Sequence, residues 1–129
     1  MASIIKTWPA FMAREKVLQI FTHNWGAFYF TLGRGHPSRE ISEIWFTHGG
    51  EILGCFTIAA VVRNEGQLPR LKRLDGEKSE WQIRPDHWVA ACNPPFVPAP
   101  QKAYYSGFRG WRYFDWTEYL STIDAKVPL

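Results

Sequence analysis

Apolar and polar residues alternate with a period of two along much of this chain, the signature of strands set against a core. The pattern is clearest from Glu51 to Val62, where Ile52, Gly54, Phe56, Ile58, Ala60 and Val62 alternate with Leu53, Cys55, Thr57, Ala59 and Val61. Ile41 to Thr47 forms another strand-like run, and His48-Gly49-Gly50 joins the two. Paired glycines supply positive φ without steric cost, so these segments predict a hairpin. Ser3 to Thr7 reads as a short opening strand. Ala27 to Leu32 sets Phe28, Phe30 and Leu32 against Ala27, Tyr29 and Thr31, two apolar faces of the kind a closed barrel needs. Trp81 to Ile83 and His87 to Cys92 are strand pieces around Pro85, and Phe108 to Phe114 is a final aromatic strand.

Helical signals are few. Pro9 suits the start of a helical stretch, where its fixed φ and missing N–H do no harm. Ala10 to Glu15 fits one or two turns, and Lys16 to Thr22 either continues the helix or switches to strand. Asp115 is placed to cap a closing helix through about Ile123. Arg63 to Glu80 mixes five bases with four acids and reads as a solvated loop. Asn93 to Pro100 carries four prolines and reads as an extended connector outside any ladder. Many short strands with few helices point to a barrel or a sandwich. With 129 residues, no repeat and no internal boundary, residues 1–129 are expected to form one domain.

Composition changes this picture in one respect. Aromatic residues make up 16% of the chain, with seven Trp, more than a core of this size requires, so some rings should line a pocket or contact surface. The apolar runs are strand-sized, far short of the ~20 residues of a membrane helix, and the start shows no leader-like apolar stretch. Cys55 and Cys92 sit in apolar strand contexts and are expected to be buried free thiols in a cytoplasmic protein. The net charge is +3, and its distribution is uneven: no acid occurs from Lys16 to Arg39 or from His87 to Phe114. These two windows would make a basic, aromatic face if the fold joins them.

Three segments resemble the ASCH branch of the PUA-like superfamily. They are Ser3-Ile4-Ile5-Lys6-Thr7-Trp8-Pro9-Ala10 followed by Lys16, the hairpin from Ile44 through Gly50 to Ile58, and Gly107 to Phe114. The resemblance implies an α+β fold: a small PUA-like β-barrel of about five or six strands with one or two short flanking helices. In that family's G-x-K-x-x-E-x-R pattern Lys16 takes the lysine position, but Arg14, Gln19 and Phe21 replace the glycine, acid and arginine. Hydrolytic members, as the resemblance implies, use the lysine, the acid and a nearby Thr, and an amide at position 19 cannot serve in proton transfer. A binding pocket is therefore the better expectation than a catalytic one.

The candidate ligand-binding residues are Trp8, Trp25 and Trp45 as stacking platforms, with Lys16, Gln19 and Thr47 as polar edge contacts. The candidate backbone contacts are Lys6, Arg34, Arg39, Arg109, Trp111 and Arg112. In a strand, Arg109, Trp111 and Tyr113 share one face. The expected partner is a single-stranded nucleic acid or a nucleobase-like small molecule, with a single-stranded segment or a modified base held in an aromatic, basic cleft. A small hydrolase of a modified nucleoside or other amide, or a protein-interaction domain, is the alternative. The four histidines lack metal-ligand spacing, and no G-x-S-x-G nucleophile context occurs, so no metal, cofactor or catalytic residue is assigned.

Overall fold

The chain opens with strand β1 (Ala2–Trp8) and helix α1 (Arg14–Thr22), followed by β2 (Phe28–Gly33), β3 (Ile41–His48) and β4 (Glu51–Arg63). Two short strands, β5 (Leu71–Lys72) and β6 (Glu80–Trp81), precede β7 (Trp88–Pro98), β8 (Trp111–Tyr113) and helix α2 (Trp116–Asp124). The computed structural model describes residues 2–8, 13–22, 28–65, 71–72, 80–81, 86–105, 108 and 110–124. Six strands form one curled mixed sheet, a half-barrel, in the order β2-β7-β4-β3-β1-β8, and β5 pairs with β6 separately. Of the barrel or sandwich that the strand pattern allowed, the structure has the barrel-like form, an α+β fold with two short helices.

Alternation divides the sheet into two faces, each with its own core. On one face Ile4, Ile44, Phe46, Leu53, Phe56, Ala90, Cys92 and Phe96 pack with Val17 and Phe21 of α1. On the other, Ile5, Trp45, Ile52, Cys55, Ala103 and Phe114 pack with Trp116 and Tyr119 of α2. The predicted cap holds: the Glu118 N–H donates to Asp115 Oδ1 at 2.8 Å, satisfying one of the free N–H groups at the start of α2. At the start of α1, Arg14 donates Nε and Nη2 to the two carboxylate oxygens of Glu51, at 2.7 and 3.0 Å. This exposed bidentate pair fixes the approach of α1 to β4 and contributes about 1 kcal/mol or less.

Two expectations need correction. The alternation through β4 is not continuous. Phe46 pairs with Gly54 while Thr47 pairs with Ile52, so a bulge at Leu53 and Gly54 resets the phase. Ile52 and Phe56, both even-numbered, therefore lie on opposite faces. The proline segment also joins the sheet. Asn93 pairs with Thr57, Val97 with Cys55 and Pro98 with Gly54, while Pro94, Pro95 and Phe96 stand out of register between them. Prolines are tolerated because the bulge removes the need for their missing N–H groups. The Ala99 N–H then donates to the Leu53 carbonyl at 2.9 Å, continuing the contact past the strand.

Both corrections meet at Gly54. Its φ is +150°, and a Cβ there would run into the Val97 carbonyl oxygen and stand 2.6 Å from Phe96 Cζ. The glycine lets the bulged segment of β7 lie flat on β4 and seats the Phe96 ring in the core. Gly54→Ala is expected to destabilise the fold by at least about 1–3 kcal/mol, measured by denaturant unfolding with the m-value unchanged. Wild-type stability in this variant would mean that the β4–β7 contact is looser than described.

The cysteines behave as the sequence suggested: both are buried and free. Burial, with a contribution from Glu43, pushes the Cys55 thiol up to about 12, and burial pushes Cys92 up as well. Neither should react with an alkylating reagent in the native protein at neutral pH, and both should react on unfolding. Rapid native labelling of either, read by mass spectrometry, would contradict this packing.

Candidate functional site

Lys6 has an unusual environment for its residue type. It sits near the end of β1, opposite Phe46 on β3 and opposite Trp111 on β8. Directly paired residues project from the same face, so its side chain rises beside Trp111 and on the α1 side of the sheet. Among the described residues it has no carboxylate or hydrogen-bond partner. Burial accordingly holds its pKa below the ordinary lysine value. An ammonium half-withdrawn from water without a counter-charge is an electrostatic vacancy for an anion.

The edge strand completes the surroundings. Tyr113 pairs with Ile4, two residues along from the Lys6–Trp111 pair, so Trp111 and Tyr113 share the face of Lys6. Their rings meet edge to face, 5.4 Å apart at 86°. Both pack against the α1-side core, as does Leu18 of the helix. The β2–β3 loop then reaches across to the same ring: the Ser38 and Arg39 N–H groups donate to the Tyr113 hydroxyl at 2.8 and 3.2 Å. The Arg39 guanidinium lies 4.7 Å from the Tyr113 ring centroid, a cation–π contact. The Ser38 hydroxyl, these N–H groups and Arg39 hold the Tyr113 pKa below the ordinary tyrosine value. The result is a basic, aromatic edge of Lys6, Trp111, Tyr113 and Arg39, which can hold an anion against flat rings.

An acidic hollow of about 590 Å³ borders this edge, lined by Arg39, Tyr113, Asp115, Glu40 and Glu118. Its carboxylates set a limit to where a polyanion can lie.

The other candidates fall in different places. Lys16 and Gln19 are exposed on α1 while Val17 and Phe21 point into the core. Thr47 is 1% exposed and belongs to the opposite face of the sheet, opposite Ile52. These three polar groups are not brought together. Trp45 is 6% exposed, and its ring lies parallel to Trp116 at 5.1 Å and 3°. Its Nε1–H has no hydrogen-bond partner among the described residues. Trp116 covers the ring that the sequence offered as a ligand platform. Arg112 is exposed and projects to the α2 side, 6.0 Å from the Phe108 ring. Arg34 is exposed in the β2–β3 loop. Trp8 ends β1 opposite His48, with its side chain outside the described residues, as are Trp25 and Arg109 altogether. The sequence reading placed Tyr113 beside Trp111 but had no local signal for Ser38, because that contact spans 75 residues.

No family model, curated protein or solved structure matches this chain.

Lys6 also predicts a pH dependence. Because its folded-state pKa is lowered, the unfolded chain binds more protons over the interval ending near 10.5, so stability rises with pH there. Below that interval the burial penalty is fully present. Lys6→Met is expected to be more stable than wild type at neutral pH, with the difference shrinking as pH approaches about 10.5. Denaturant unfolding across this range would reveal it. A variant less stable than wild type at neutral pH would show that the ammonium has a stabilising partner.

Proposed function

We propose that this protein is a nucleic-acid-binding module of the PUA-like kind that its hairpin resembles, holding a single-stranded segment or a modified base. The binding edge is formed by Lys6, Trp111, Tyr113 and Arg39. One observation carries the reading: a half-buried ammonium without a described counter-charge stands beside an aromatic edge strand. A phosphate would compensate the ammonium, and bases would stack on the rings, the combination by which single strands are held with little sequence preference. A flipped base, read by its edges, fits the same chemistry. The hydrolase alternative draws less support, because Lys16 and Gln19 lie on the exposed side of α1 while Thr47 is buried on the far face of the sheet.

The test is titration of tryptophan fluorescence with short single-stranded RNA and DNA at two salt concentrations. Saturable quenching that weakens with salt is expected. Trp111→Ala should cost about 1–3 kcal/mol of binding, and Lys6→Ala should lower the salt slope by about 1. Absence of binding to either polymer, or binding untouched by both substitutions, would overturn the assignment. Salt-independent association with a protein would favour an interaction domain instead.

A further inference from the structure

A second cleft that sets an arginine beside a tryptophan lies at the other end of the β2–β3 loop. Arg34, Arg63, Asp86 and Trp88 line a cleft of about 550 Å³. Trp88, half-buried at the start of β7, pairs with Gly33 and with Arg63, and packs on the α1-side core. The His36 ring lies against it, centroids 4.3 Å apart at 41°. Nδ1 of His36 stands 2.8 Å from the Pro37 carbonyl; as donor there, it fixes the plane of the ring. Arg63 is occupied by Asp86 at 2.8 Å and Glu65 at 3.6 Å. Arg34 has no ion-pair or hydrogen-bond partner among the described residues, so it is the cleft's uncommitted cation.

The loop ties this cleft to the first site. His36 rests on Trp88, Pro37 is buried, and Ser38 and Arg39 bond the Tyr113 hydroxyl. From Arg34 to Arg39 an extended chain covers at most about 20 Å. The loop therefore presents Arg34 with Trp88 at one end and Arg39 with Tyr113 at the other, and both rings pack on the same core. The hollow beside Tyr113 sets Glu40, Asp115 and Glu118 against the single Arg39, so the loop is the more favourable path for a polyanion.

We infer that the Arg34–Trp88 cleft is a second nucleotide subsite, reached by the same single strand after it leaves the Lys6–Trp111 edge along the β2–β3 loop. This rests on the nucleic-acid reading above. In the second subsite the exposed His36 ring, backed by Trp88, supplies the stacking surface and Arg34 the phosphate contact.

Fluorescence anisotropy of labelled oligouridylates of about four and about 16 nucleotides, the limits of single-strand site sizes, tests it. Wild type should bind the longer strand more tightly. In Arg34→Ala and Trp88→Ala the longer strand should lose about fivefold or more in affinity, the lower limit for one base stack, while the shorter is unchanged. Arg34 is exposed, so its variant reports even where loss of the partly buried Trp88 disturbs folding. Trp111→Ala should weaken both strands. A length advantage that survives in Arg34→Ala, or equal losses on both lengths, overturns the second subsite and leaves the first standing. Failure of wild type to bind either strand overturns both.

Discussion

Five phenylalanine rings, contributed by α1, β2, β3, β4 and β7, meet in the middle of the molecule. Phe21 of the helix lies 5.2 to 6.2 Å from Phe30, Phe46, Phe56 and Phe96, ring centroid to centroid. Loss of one such ring from a core costs about 3–5 kcal/mol, a large fraction of the stability of a small domain. Placement of the other parts follows from this contact. It holds α1 against the sheet, so that Leu18 covers the core beside the edge strand. It also requires Phe96 to point inward, which bends β7 at its prolines and leaves no room for a side chain at position 54.

The secondary structure was legible where the cause is local. The turn at Gly49 and Gly50, the β3–β4 hairpin and the Asp115 cap each rest on residues within a few positions of one another. What escaped the sequence pattern depends on partners far away. Strict alternation over β4 concealed a bulge because Leu53 and Cys55 are as apolar as the residues between which they fall. The proline-rich run looked incapable of pairing, yet Val97 and Pro98 return to the ladder opposite Cys55 and Gly54. Composition cannot show that a bulge lies between.

The site followed the same rule. Trp111 and Tyr113 were readable as neighbours on one face because a strand has a fixed period. Lys6 was readable as a base near the end of a strand, but its desolvation comes from Trp111, Phe46 and the helix side of the sheet. The Trp45 ring looked available until the fold laid Trp116 on it, 71 residues later in the chain. Lys16 and Gln19 are spaced three apart on one helix, and the phase that buries Val17 and Phe21 turns them to solvent. A motif alignment alone cannot supply that phase.

The parallel pairing of β1 with β3 has a consequence for how a growing chain reaches its native form. β3 and β4 are joined by a two-glycine turn and can zip together as soon as both have been synthesised. β1 must wait for α1 and β2 to be laid between it and β3, and its other edge stays open until β8 arrives more than 100 residues later. Non-local closure of this kind is slow and leaves an unpaired edge exposed in the meantime. Lys6, a charge on that waiting strand, discourages a second nascent chain from adding to it. The side chain that the finished sheet withdraws from water is thus a solvated charge for as long as the strand is open.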